Sequence, residues 1–334
     1  MKRRRVWMFA SAAVVFAGFT AASLSTTVGA AKEGSVDPGK GTRSAGTSWK
    51  YDYFDNFYDV ASATPQELWI VGNSGKILHT GDEGKNWIIQ PGGIKEDLYS
   101  VSFIDALRGW CSGGNGLILH TEDGGATWSR QTTGTKYPIF RIQFLSEKVG
   151  FACGYFGLFL RTADGGKTWE NKSIGEDVTL RGMSFPSEKI GYLAGEFGSM
   201  LKTVDGGSTF TRLKSPADTT LFAVHFSDAT SGYASGIDGF VESTVDGGKT
   251  WRKEESGTKD HLIGIRSNGR IAVAVGLRGA MRTKVSGGKW AAVDAKTLNW
   301  ISGIQLGKDG KGLAVGAHGT IIRLEDILPK GKEK

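Results

Sequence analysis

Proline and cysteine are scarce in this chain, seven and two among 334 residues, and beyond the N-terminus no segment sustains an apolar period of 3.6. Two cysteines leave room for one disulfide at most, and the missing helical period excludes a bundle of long helices. Glycine (50) and tryptophan (10) are abundant instead. That mixture suits many short strands joined by tight turns. The length is enough for one large domain or two small ones.

The N-terminus is built differently. Lys2, Arg3, Arg4 and Arg5 form a cationic start, Val6 to Ala22 is an apolar run, and small residues follow to Val28-Gly29-Ala30-Ala31. This predicts a signal peptide over 1–31, with export to a periplasm, a thylakoid lumen or the medium. Ser23, Ser25, Thr26 and Thr27 close an apolar run that is short for a span, and an uncleaved anchor is the alternative. Segment 1–31 holds four basic and no acidic residues, so its removal takes the formal charge from +7 to +3. A surplus that small gives no reason to expect nucleic acid or an anionic membrane as partner. Residues 32–48, rich in Gly, Ser, Thr and Lys, read as a flexible linker, and 327–334 as a charged tail.

Self-similarity dominates the remainder. A Gly-x-x-Gly pair recurs at Gly72/Gly75, Gly113/Gly116, Gly154/Gly157, Gly195/Gly198, Gly236/Gly239, Gly276/Gly279 and Gly316/Gly319. The intervals are 41, 41, 41, 41, 40 and 40 residues. Each unit contains short apolar strands separated by turns, the pattern of a propeller blade. The expected fold is all-β, a seven-bladed β-propeller over 49–326. The last unit has three strands and no fourth, whereas Trp49 to Tyr53 resembles a fourth strand lying ahead of the first unit. The expectation is that this N-terminal strand completes the last blade and closes the ring.

Between third and fourth strands lies the most specific motif, as in Thr162-Ala-Asp-Gly-Gly-Lys-Thr-Trp169. Asp82, Asp123, Asp164, Asp205 and Asp246 are placed to cap turn amides, and the glycines to supply positive φ. Trp87, Trp128, Trp169 and Trp251 are placed to pack back on the blade, with Phe210 in the fourth copy. A sixth copy, Thr283 to Trp290, lacks the Asp. These are fold elements rather than chemistry.

Strand order puts the Gly-x-x-Gly turns on the opposite face, beside the channel mouth. The variable pairs within them place Tyr155, Phe156, Phe197, Ile237 and Leu277 on surface turns, with Arg141, Arg181 and Arg278 as nearby cations. Adjacent apolar side chains at loop tips mark a protein-binding patch; the alternative is that the rings fold inward. A second column, His79, His120, Arg161, Lys202, Ser243, Arg282 and Arg323, reads as strand-end side chains. Its two histidines lack further ligands, so no metal is expected. Cys111 and Cys153 fall on second strands of adjacent units with opposite parity, and both are placed to face the gap between blades two and three. The wide spacing between packed sheets favours buried free thiols.

An Asp-rich repeat also suggests a glycoside hydrolase. The motif resembles the Asp box of bacterial-neuraminidase repeats, but Phe140-Arg141-Ile142-Gln143 has Gln where the sialidase signature has Pro and follows two Asp boxes. For a generic hydrolase or glycan binder, Glu196 and Asp238 are the candidate carboxylates on neighbouring turns. The closer resemblance is to the photosystem II assembly and stability factor family, carried by the blade number, the exported single-domain layout and the Asp-Gly-Gly-Lys-Thr-Trp boxes. That resemblance implies a non-catalytic scaffold without cofactors, binding a protein client such as a membrane-protein precursor partly through an arginine-lined surface. Arg141, Arg181 and Arg278 are its counterparts here. A monomer without membrane insertion after signal cleavage is expected.

Overall fold

The computed structural model describes residues 47–328. The expected signal segment, nearly all of the 32–48 linker and the end of the tail lie outside the described residues. Seven antiparallel sheets surround a central channel. Their inner strands are Phe57–Ser62, Leu98–Phe103, Ile139–Phe144, Leu180–Ser184, Leu221–Phe226, Leu262–Ser267 and Ile301–Leu306. The order runs outward from each inner strand as the chain proceeds, so sequential neighbours pair within every blade, the N-terminal strand excepted.

The blades are joined by a repeated stack. The ring at the second position of one second strand lies parallel to the phenylalanine ending the next inner strand: Trp69 on Phe103 and Trp110 on Phe144, both at 3.6 Å, and Tyr192 on Phe226 at 3.6 Å. Phe151 meets Phe185 in the same way at 3.8 Å. The Asp-box aromatic closes three of these stacks edge-on, Trp128 on Phe103, Trp169 on Phe144 and Trp251 on Phe226 at 87°, 90° and 88°. This layering explains the glycine that opens the second strand in blades 2 to 5. A Cβ at Gly109 would lie 2.3 Å from the Phe103 ring, so no side chain fits there.

The Asp boxes perform the expected capping. Thr121 Oγ1 donates to Asp123 Oδ1 at 2.8 Å, and the same oxygen accepts the Thr127 amide at 2.9 Å. Hydrogen bonds from Thr80 and Asn86 hold the Asp82 carboxyl down at about 2. The boxes also tie blades together: Trp69 Nε1 donates to Gly124 O at 3.1 Å and Trp110 Nε1 to Gly165 O at 3.2 Å, each into the next blade's hairpin. The box aromatics reach back as well: Trp169 Nε1 donates to Gln131 Oε1 at 3.1 Å, and in the degraded sixth copy Trp290 Nε1 makes the equivalent bond to Glu254 at 2.7 Å, a carboxylate also held by Lys284.

The ring closes differently from the sequence expectation. The N-terminal strand is Thr47–Ser48, and it pairs with Ile88 and Ile89 as a fifth, outermost strand of blade 1. Trp49 to Tyr53 is not a strand, and the last blade keeps three. The resemblance to a fourth strand is real, but two open edges compete for it. Trp49 N bonds to Trp87 O at 2.8 Å, and its ring packs on Phe57 of blade 1. The following residues then form a strap. Asp55 accepts from Trp49 Nε1 and pairs with Lys76, both at 2.7 Å, while its carbonyl takes the Gly319 amide of blade 7 at 2.7 Å. Inside, Ser302 Oγ donates to Tyr58 O at 2.9 Å and Gln305 Nε2 to Ser62 Oγ at 2.6 Å, which seals the first blade to the last. At the C-terminus Leu328 is buried in the core, so packed structure runs two residues past the expected boundary at 326.

Both cysteines are free and buried. Burial pushes the Cys153 thiol up to about 12. They do not share a gap: Cys111 packs with Trp69 and Leu98 of blades 1 and 2, and Cys153 with Leu180 and Met183 of blade 4. Opposite parity thus turns them apart rather than together.

Candidate functional site

The start of every inner strand carries an irregularity. The first residue pairs with the first glycine of its own blade's Gly-x-x-Gly turn, as in Ile139↔Gly154, and the register then skips one residue. The skip recurs in all seven blades. The skipped residues are Tyr58, Tyr99, Phe140, Arg181, Phe222, Ile263 and Ser302. A bulge re-aims the residue it frees, and these seven gather where the channel opens on the Gly-x-x-Gly face.

There five of them, Tyr58 to Phe222, touch in sequence with Trp300 and His261 at the two ends. Trp300 stacks on Tyr58 with 3° between planes at 5.8 Å. Tyr58 meets Tyr99 at 5.8 Å, and Tyr99 meets Phe140 at 5.5 Å. The Arg181 guanidinium bridges the next step, 5.2 Å over Phe140 and 5.9 Å over Phe222. Phe222 faces His261 at 6.3 Å. A collar of flat faces holding one cation thus surrounds the mouth. Burial, assisted by the Asp97 carboxylate, raises the Tyr58 and Tyr99 hydroxyls, which keeps both neutral as donors. Burial lowers the Arg181 guanidinium, and Glu196 opposes that shift.

Outside the collar stand the turn residues. The second variable position of each turn is left-handed, with φ of 59° at Phe156 and 55° at Phe197, a conformation that disfavours bulky side chains. Tyr155, Phe156 and Tyr137 form an exposed cluster with centroids 5.7 to 6.3 Å apart. Phe197 is 76 % exposed, and no ring contact holds it among the described residues. Tyr51, Tyr53 and Phe54 of the strap are exposed as well.

The three arginines singled out from sequence separate. Arg181 sits in the collar. Arg141 points into the channel below, its Nε donating to Arg181 O at 3.2 Å and its Nη1 3.6 Å from Asp59. Arg278 stands apart, paired with Asp260 on the rim. Of the alternative carboxylates, Glu196 accepts the Thr179 amide at 2.8 Å, a loop-capping bond. Asp238 is mostly exposed, 3.6 Å from His261. His79 and His120 of the second column lie far from the mouth, stacked on Trp69 and Trp110, and His79 bonds to Glu67 at 2.6 Å.

Sequence reasoning missed most of the collar. The signal was present: aligning the repeats by the second residue of each inner strand gives Tyr, Tyr, Phe, Arg, Phe, Ile, Ser. It was overlooked because regular alternation does not aim that residue at the mouth; the bulge does.

Comparison with known proteins places this geometry. The family model for the photosynthesis system II assembly factor YCF48 matches residues 43–139 and 132–217. No curated protein sequence matches. Among solved structures, YCF48 bound to D1 peptide superposes with a TM-score of 0.70 at 17% identity, covering 83% of this chain and 94% of that one. YCF48 from Cyanidioschyzon merolae superposes with a TM-score of 0.70 at 18% identity, covering 83% and 98%. A GH74 xyloglucanase from Xanthomonas campestris shares the fold, with a TM-score of 0.69 at 13% identity over 83% of this chain and 52% of that one. With more than half of its length matched by that family model, the chain belongs to the photosynthesis system II assembly factor YCF48 family.

Proposed function

We propose that the protein is an exported, non-catalytic scaffold that holds a protein client, of the membrane-protein-precursor class, against the Gly-x-x-Gly face. The observation that carries this reading is the collar from Trp300 through Tyr58, Tyr99, Phe140 and Arg181 to Phe222. Large rigid rings around one cation, flanked by the exposed Tyr155, Phe156 and Phe197, are the side chains that contribute most to protein recognition. A relative of the same fold is YCF48 bound to D1 peptide, which supports a peptide segment as the bound element. Against catalysis stands the use of Glu196 as a loop cap and the exposure of Asp238.

The test is a photo-crosslinking residue at Phe197 or Tyr155 in the source organism, with Val245 on the Asp-box face as control. Capture of one exported or membrane protein from the first two positions, lost when Tyr99 and Phe140 become Ala, is expected. Equal capture from both faces overturns the reading. Hydrolysis of an aryl glycoside that disappears in Glu196→Gln establishes the enzymatic alternative. Sequencing the N-terminus of the exported chain checks cleavage after Ala30 or Ala31.

A further inference from the structure

Below the collar the channel is a cavity of about 260 Å³ with an unusual balance of polar groups. Two guanidiniums enter it, Arg141 and Arg266, against one carboxylate, Asp59. That carboxylate is already satisfied. It accepts from Val60 N at 3.0 Å, Ser100 Oγ at 2.7 Å and Val101 N at 3.2 Å, and Arg141 Nη1 lies 3.6 Å away. Arg266 bonds only to Ile265 O, at 3.1 Å, and no carboxylate pairs with it among the described residues. Burial depresses its guanidinium; Asp59 opposes that shift and Arg141 adds to it.

The neutral groups on the wall are donors too. Ser102 Oγ and Ser184 Oγ each accept a backbone amide of the next blade, Phe144 N and Phe226 N, both at 3.0 Å. Each hydroxyl proton is therefore left to point elsewhere. His225 Nδ1 accepts the Ser267 amide at 3.2 Å, and burial holds the ring down at about 3, so the neutral tautomer carries its proton on Nε2. The cavity thus offers an unpaired, half-buried cation and three spare donors, with its one carboxylate occupied. A desolvated cation without a counter-charge is costly, and an anion with several acceptor oxygens removes that cost.

We propose that the channel is a binding site for a small oxyanion of the carboxylate or phosphate class, seated on Arg266 and Arg141 with Ser102, Ser184 and His225 as further donors. The same chemistry arrives either as a free solute or as the carboxylate ending a polypeptide that enters through the collar. The site stands on its own residues and does not depend on which client the collar holds.

The experiment titrates the chain calorimetrically at fixed ionic strength, with sodium chloride as reference. The probes are inorganic phosphate, acetate, triglycine and triglycine amide. Line broadening of the phosphorus resonance of phosphate on adding unaltered protein gives a second readout that needs no variant. Binding of phosphate or acetate that weakens ten-fold or more in Arg266→Gln, partly retained in Arg266→Lys and unchanged in the surface variant Arg130→Gln, establishes a free-oxyanion site. Binding of triglycine alone, absent with its amide and lost in Arg266→Gln, assigns the site to a chain end. Absence of any heat or broadening up to about 10 mM, a range that captures even weak binding, overturns the proposal. So does binding that persists unchanged in both Arg266 variants.

Discussion

Glu242 lies on the third strand of blade 5, Val241–Thr244, and is fully buried. Its polar neighbour is Ser215, whose Oγ is 2.9 and 2.8 Å from the two carboxyl oxygens and also accepts the Ala217 amide at 3.0 Å. A hydroxyl carries one proton, so it donates to only one of those oxygens. The second contact becomes a hydrogen bond when the carboxyl is itself protonated and donates back. Burial raises this carboxyl from 4.5 to about 7, against the lowering effect of Ser215. Below pH 4.5 folded and unfolded chains both hold the proton, and burial carries no ionisation cost. Between pH 4.5 and 7 the unfolded chain releases it first, so stability falls as pH rises. Above pH 7 the loss is complete, and a rise of that size converts to about 3 kcal/mol. Glu242→Gln keeps the shape, accepts from Ser215 and donates to it, and cannot ionise. In urea denaturation the variant is expected to be about 2–3 kcal/mol more stable than the parent at pH 8 and within about 0.5 kcal/mol of it at pH 4.5. The same difference at both pH values, or a destabilised variant at pH 8, refutes the reasoning.

Three further perturbations test other parts of the structure. Gly109→Ala drives a methyl group into the Phe103 ring and breaks its stack on Trp69, so a loss of about 2–3 kcal/mol is expected in thermal or urea unfolding; an unchanged midpoint refutes that account. Phe197→Asn relaxes a left-handed residue and should raise stability by up to about 1 kcal/mol while reducing client crosslinking; reduced stability shows that the ring is packed in solution. Cys111 and Cys153, buried with raised thiols, should react with Ellman's reagent at pH 8 only after denaturant is added, and prompt labelling of the native chain contradicts their placement.

What was legible in the sequence follows from the range of the interactions involved. An Asp box is satisfied within eight residues, with Thr121, Asp123 and Thr127 bonding among themselves, so local spelling reveals it. Seven Gly-x-x-Gly turns at one period imply the ring. The stacks joining blades are longer-ranged: Trp69 donates to Gly124, 55 residues away, and nothing near Trp69 announces that partner. The N-terminal segment shows a related gap: its pattern resembles a strand over Trp49 to Tyr53, but the open edge that takes it makes Thr47–Ser48 the strand and leaves the rest a strap.

The site was less legible because a bulge breaks the rule of alternation. Reading Phe140-Arg141 and Leu180-Arg181 as ordinary strands puts both arginines among cations near a surface patch. The register skip at the second position sends Arg181 into the collar and leaves Arg141, at the third position, facing the channel. Two residues of one chemical type, one position apart in the repeat, end in different sites.

The left-handed turn positions separate what the fold needs from what it carries. Ser74, Asn115 and Asp238 are small or polar residues that tolerate that conformation with little strain. His318 is compensated by stacking on Tyr53 at 4.0 Å and bonding to its carbonyl, and Arg278 by its pair with Asp260. Phe156 gains Tyr137 and Tyr155 as neighbours. Phe197 holds the same strained backbone with a large apolar ring 76 % exposed and no ring packed against it among the described residues. Asparagine, the residue of blade 2 at this position, fits that backbone more easily. The fold alone therefore gives no reason for phenylalanine there, and its compensation is expected from outside the chain. This places Phe197, ahead of the better-packed aromatics beside it, first among the residues expected to touch the client.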